Sequence, residues 1–148
     1  MSDANMTGRF IYHRRISFAE TDMAGVLHFA NYYRYMEEVE HAFWRSEGFS
    51  VMYSEGESQI SWPRVATSCE YLSPARFEDE IELSLAVARV GNRSVSFEIE
   101  FRRQQERFAL GKTTAVCCGM KDGRFEPISI PAHLRTVLEA HQQASAKA

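Results

Sequence analysis

The chain has 148 residues, 45% hydrophobic and 25% charged, with 17 basic against 20 acidic side chains and a formal net charge of −3. That length forms one core of ordinary size, and a mildly acidic balance argues against a surface built for nucleic acid. Apolar runs of only a few residues argue against a membrane span. We expect one domain over 8–141, with flexible termini at 1–7 and 142–148. Residues 1–8 carry no basic or hydrophobic stretch of a signal peptide, so the expected location is cytoplasmic. Cys69, Cys117 and Cys118 read as free, small core or interface residues, because adjacent cysteines are poorly placed to bridge each other.

In chain order, Phe10–Phe18 has the composition of a strand. Thr21-Asp22-Met23-Ala24-Gly25 then reads as a short turn. A helix follows from Asn31, a plausible N-cap, to Glu47, with Gly48 just past its end. At 100° per residue, Tyr32, Tyr35, Met36, Val39 and Phe43 gather on one broad face, flanked by Tyr33 and Trp44. Arg34, Glu37, Glu38, His41 and Arg45 form a narrower polar stripe. Glu40 projects toward the apolar arc, where we expect it to be partly buried and paired. So wide an apolar arc suits a helix wrapped by a sheet.

From Ile60 the period becomes two. Val65, Thr67, Cys69 and Tyr71 alternate, as do Ile81 to Val87 and Val95 to Phe101, and Leu110–Met120 makes a fourth run. Gly91-Asn92 and Arg103–Glu106 read as tight turns, so successive strands are expected to pair as an antiparallel meander. Pro131 opens a short last helix carrying Leu134, Val137 and Leu138. The fold class is α+β, one long helix against a strongly curved sheet.

The chemistry centres on Asp22. A carboxylate ahead of a helix N-terminus can act as nucleophile or base beside backbone N–H groups able to hold an oxyanion. The same residue type is also common in turns with no chemistry at all. His28 can orient Asp22 or water, or be a rim histidine satisfied by backbone. Glu38-x-x-His41 has metal-ligand spacing, but a single helix cannot complete such a site, so a polar stripe is expected and no metal. No Gly-x-Ser-x-Gly elbow occurs, since Gly48-Phe49-Ser50-Val51-Met52 lacks the final glycine, and no phosphate loop or dinucleotide fingerprint is present. Asn31 can bond a substrate or simply cap the helix. Tyr32, Tyr33, Tyr35 and Trp44 can line a pocket or pack the helix.

Thr21-Asp22-Met23-Ala24-Gly25-Val26, followed by Asn31-Tyr32 and the helix, resembles the hotdog-fold acyl-CoA thioesterases of the 4-hydroxybenzoyl-CoA thioesterase-like superfamily. Tyr71–Phe77, Val90–Ser94 and Ile128–Pro131 extend the likeness to about Phe10–Leu138. The resemblance implies a hotdog fold, with a long central helix wrapped by a curved antiparallel sheet of five to six strands. It further implies a homodimer or homotetramer with acyl-CoA at the subunit interface, and hydrolysis of the thioester to a free acid and CoA without a cofactor.

The family's aspartate falls on Asp22, and the backbone N–H that polarises the thioester carbonyl falls near His28 or Phe29. One branch of the family carries a histidine seven residues after the aspartate, where this chain has Phe29; His28 is six residues after. CoA phosphates would need basic side chains, for which Arg64, Arg76, Arg89, Arg93 and Lys121 are candidates. Release of an acyl group from acyl carrier protein, and a non-catalytic acyl-CoA binder on the same fold, are the rival expectations. A hotdog dehydratase fits less well, because its histidine motifs are not seen.

Overall fold

The computed structural model describes residues 8–56 and 58–147; the side chains of 55, 58, 121 and 143–147 lie outside that description, as does the expected flexible segment 1–7. Strand β1 (Phe10–Arg15) leads through a short 3-10 turn at Phe18–Glu20 to helix α1 (Asn31–Ser46). Strands β2 (Tyr53–Glu55), β3 (Ser58–Ser61), β4 (Arg64–Tyr71), β5 (Glu80–Val90), β6 (Ser94–Arg103), β7 (Glu106–Val116), β8 (Cys118–Lys121) and β9 (Arg124–Pro127) follow, then helix α2 (Ala132–Lys147). The first strand therefore stops at Arg15, short of the expected Phe18. The last helix is longer than the short one expected and takes in the segment from Gln142.

Helix α1 differs from expectation at its start. Ala30 is the cap residue and makes no side-chain cap bond, while Asn31 is the first helical residue. The Asn31 side chain lies inside the helix, past the cap position, and is turned back to donate Nδ2–H to the Glu20 carbonyl at 2.8 Å. The far end matches its signal. Gly48 adopts φ +85°, the Gly48 N–H donates to Arg45 O at 3.0 Å and the Phe49 N–H to Trp44 O at 2.9 Å. These two bonds are the Schellman pair that satisfies the last helical carbonyls.

A five-stranded antiparallel sheet, in the order β1-β5-β6-β7-β4, wraps α1. Strands β5, β6 and β7 form the expected meander, joined by a turn at Gly91 and by a turn whose Gln104 and Gln105 have positive φ. Strand β4 departs from it by pairing with β7 rather than with β5, the strand that follows it. The connector explains this. Residues 72–79 cross the open end of the fold, where the Leu27 N–H donates to Ala75 O, Val26 bridges Arg76, and the Ile16 N–H donates to Asp79 O. Those bonds tie the connector to the loop before α1, so β5 emerges beside β1 and β4 is left on the far edge.

The expected fourth run, Leu110–Met120, is two strands. Buried Cys117 interrupts it, donating its N–H to Arg93 O and accepting from the Ile128 N–H. Beyond that break β8 joins a second sheet, β2-β3-β8-β9, which the alternation alone did not reveal.

Within the wrap, Tyr32, Tyr35, Met36, Val39, Phe43 and Trp44 of α1 meet Leu83, Leu85, Phe97, Ile99, Phe101 and Phe108 of the sheet. Gly111 on β7 admits the helix closely: a Cβ there would lie 2.6 Å from Met36 Sδ. No helix among the described residues is long and apolar enough to cross a membrane.

Candidate active site

The segment between the 3-10 turn and α1 folds back on itself as a small hairpin. The Asp22 N–H donates to Val26 O at 2.9 Å, the Gly25 N–H donates to Asp22 O at 2.9 Å, and Thr21 bridges Leu27. The three-residue loop Met23–Gly25 closes on a left-handed glycine, Gly25 at φ +80°, the position where a side chain costs roughly 1–2 kcal/mol.

This turn orients the Asp22 carboxylate. Its Oδ1 accepts the Ala24 N–H at 2.9 Å and the Val26 N–H at 3.3 Å. Among the described residues, no group bonds Oδ2. One oxygen anchors the side chain to its own turn and the other is left available.

Immediately beyond, the backbone of 28–29 is unevenly used. The His28 N–H donates to the Glu20 carbonyl at 2.9 Å. His28 Nδ1 accepts the Ala30 N–H at 3.1 Å, which places the ring's remaining hydrogen on Nε2. The ring stacks on Phe29 at 4.6 Å. The Phe29 carbonyl accepts from Tyr71 Oη at 3.2 Å and from the Tyr32 N–H at 3.3 Å. Its N–H has no acceptor among the described residues, and the residue is 63% exposed. Of the two expected oxyanion donors, the His28 N–H is engaged and the Phe29 N–H is open.

Burial pushes the Tyr71 phenol up to about 12, helped by Cys69 and Tyr33, so Tyr71 remains a donor to Phe29. Tyr32 meets Tyr71 edge-on at 4.8 Å and packs on Phe101 and Phe108. Tyr35 and Trp44 are buried in the core, which is the packing alternative, whereas Tyr33 stays partly exposed.

Among the described residues, the basic candidates are divided between the two ends of the large sheet, with only Arg76 on the side of Asp22. Arg76 lies beside Val26, at the Asp22 end of the sheet. Arg89 and Arg93 flank the turn at the other end of β5, an 11-residue strand, about 30 Å away at the rise of an extended chain. Arg64 begins β4 at that same distant end, opposite Ala115, and its Nη2 pairs with Glu40 Oε1 at 2.6 Å. Glu40 is 1% exposed, so it is fully rather than partly buried, and paired. The Lys121 side chain lies outside the described residues. Glu38 bonds Arg14 and Tyr12, and no metal-binding group of three or more His, Cys, Asp or Glu occurs among the described residues.

Glu20 is the residue near this site that pattern reading missed. Its Oε1 accepts from the Ser17 N–H at 2.9 Å, Arg14 Nη1 at 2.7 Å and Tyr35 Oη at 2.6 Å. The spacing Ser17-x-x-Glu20 is the one available signal, since a glutamate three residues after a serine commonly reaches back to that residue's N–H.

Residues 24–110 match the family model described as the thioesterase superfamily. The chain is 35% identical over 133 residues to a protein of Aquifex aeolicus provisionally named an esterase, covering 88% of this chain and 98% of that one. It is 24% identical over 126 residues to a 1,4-dihydroxy-2-naphthoyl-CoA hydrolase of Synechocystis, covering 84% and 91% respectively. A solved gentisyl-coenzyme A thioesterase superposes with a TM-score of 0.74 at 26% identity, covering 85% of this chain and 99% of that one. The chain therefore belongs to the thioesterase superfamily and is a thioester hydrolase of the hotdog fold.

Proposed function

We propose that this chain hydrolyses a CoA thioester to a carboxylic acid and CoA, with Asp22 Oδ2 as the reacting oxygen and the Phe29 N–H as the oxyanion donor. The observation that carries this reading is the division of labour in the loop: Oδ1 is bonded twice while Oδ2 and the Phe29 N–H have no partner among the described residues. As nucleophile, Oδ2 adds to the thioester carbonyl and the C–S bond breaks. CoA leaves as a thiolate, and water hydrolyses the mixed anhydride. As base, Oδ2 takes a proton from the water that adds instead. A thiolate leaves without a strong general acid, so one carboxylate suffices on either route. His28 supports the site through its ring contact with Phe29 and its Nε2–H.

We further infer that the working form is a homodimer or a higher assembly of dimers. Strand β4 is an open edge of the large sheet, paired among the described residues only to β7, with Val65 62% exposed. An edge this open invites pairing with a second copy. Two β4 strands meeting antiparallel would bring the start of the second copy's β4 beside the Tyr71 end, near Phe29, while each Arg64 keeps its pair with Glu40. Asn31, held by Glu20, acts in this reading through the helix start, and Arg76 is the basic candidate nearest the loop. The setting inferred is the cytoplasm.

Replacing Asp22 by Asn should lower kcat by at least about a hundredfold, the usual weight of a general base, with an unchanged circular dichroism spectrum. The readout is thiol release over short, long and aryl CoA esters. Near-normal turnover of Asp22→Asn on a substrate the parent cleaves well would sink the assignment.

A further inference from the structure

We propose that Glu20 is a positioning residue for the hydrolysis, holding both Asp22 and the Phe29 N–H in register through its carboxylate and its carbonyl. This inference rests on the reading of Asp22 and Phe29 given above.

The geometry is unusual in how much passes through one residue. The carboxylate joins three elements: Arg14 from β1, Tyr35 from α1, and the Ser17 amide from its own turn. The carbonyl of the same residue accepts the His28 N–H at 2.9 Å and Asn31 Nδ2–H at 2.8 Å. Asp22 follows Glu20 by two residues, and Phe29 follows His28 by one. The two ends of the loop that carries the chemistry are thus clamped to one another at Glu20 and to the rigid strand and helix behind it.

The clamp is itself supported. Arg14 bonds Glu38 Oε1 at 3.0 Å and its guanidinium lies 4.0 Å from the centre of the Tyr35 ring, which fixes the plane in which it meets Glu20. Desolvation pushes the Glu20 carboxyl upward. The bonds from Arg14, Tyr35 and the Ser17 amide outweigh it, and hold the group below its ordinary value. Charge-assisted bonds of this kind are short and directional. Reacting groups must be held to about 0.5 Å, and a shift of about 1 Å can cost a hundredfold in rate.

The test substitutes Glu20→Gln, which keeps size and an acceptor oxygen but removes the charge that holds Arg14. Tyr35→Phe removes one of the three donors. Arg102→Gln serves as a control, because it breaks a comparable bonded pair with Glu100 and a bond to the Gln105 carbonyl, outside both the loop before α1 and the 72–79 connector that grips it. Each protein is assayed well below its melting temperature for kcat and KM, and for affinity toward a non-hydrolysable CoA thioether. Glu20→Gln should lose about ten- to a hundredfold in kcat with KM and thioether affinity within about threefold. Tyr35→Phe should lose less, and the control should keep kcat even if its melting point falls equally.

The proposal is overturned if Glu20→Gln keeps kcat within about twofold of the parent. It is equally overturned if the loss appears in KM and thioether affinity, or if the control loses kcat as much. An inactive Asp22→Asn beside a normal Glu20→Gln removes only this proposal, whereas an active Asp22→Asn removes the reading beneath it.

Discussion

Glu40 gives the sharpest quantitative test of the fold. It sits 1% exposed on the apolar face of α1, with Arg64 Nη2 at 2.6 Å from its Oε1 and Glu37 one turn away on the same helix. Desolvation pushes its carboxyl up to about 7; the Arg64 charge opposes this and Glu37 adds to it. An unperturbed glutamate titrates near 4.5, so below that value both the folded and unfolded chains hold the proton and nothing is lost. Between about 4.5 and 7 the unfolded chain ionises while the folded one does not, and stability falls by about 1.4 kcal/mol per pH unit. Above about 7 both states are ionised and the accumulated loss levels off at about 3 kcal/mol.

Replacing Glu40 by Gln abolishes this titration and leaves an acceptor for Arg64. The stability of the parent minus that of Glu40→Gln should therefore fall by about 3 kcal/mol between about pH 4 and pH 8. The assay is urea unfolding of both proteins at matched concentration, with equal m-values checked so that the midpoints can be compared. Other carboxylates titrate alike in both proteins and cancel in the difference. A difference that stays constant within about 0.5 kcal/mol, or a parent that gains on the variant as pH rises, would refute the argument.

Two further outcomes test packing and thiol environment. Gly111→Ala places a Cβ 2.6 Å from Met36 Sδ and 2.8 Å from its Cε; the flexible end of Met36 can shift, so a loss of about 1 kcal/mol and roughly 3 °C in melting temperature is expected, and no change would contradict the close approach of α1 to β7. Burial, reinforced by Glu70, pushes the Cys69 thiol up to about 11, so about one in a thousand is thiolate near pH 8 and alkylation should be slow until the protein is unfolded. Labelling of Cys69 in the folded protein at the rate of a free cysteine would show that this side chain is not withdrawn from solvent on its otherwise exposed strand.

The sequence carried most of the elements and the turn at Asp22, and its failures have a common origin. Tyr32, Tyr35, Met36, Val39 and Phe43 repeat at the helical period, Gly48 ends the helix, and the apolar residues of β5 and β6 alternate. Each of these signals lies within a few residues of what it describes. Asp22 and the small residues after it, closing on Gly25, were legible in the same way, because a turn is a local event. Asn31 was misread as a cap for the complementary reason: its amide is bonded to a carbonyl 11 residues earlier in the chain.

What the sequence by itself determined is therefore the α+β class, the long amphipathic helix and the aspartate turn in front of it. Tertiary structure alone decided that β4 lies on β7, that β8 leaves the main sheet at Cys117, and that Arg64 reaches Glu40. It also decided that Glu20 gathers Arg14, Tyr35, His28 and Asn31 around the loop. Periodicity and turn chemistry are set by neighbours along the chain. Strand partners and buried ion pairs are set by which distant groups can be satisfied together once the core has closed. The same contrast explains why the Asp22 turn was visible from the start and the bonds that Glu20 makes to Arg14, Tyr35, His28 and Asn31 were not.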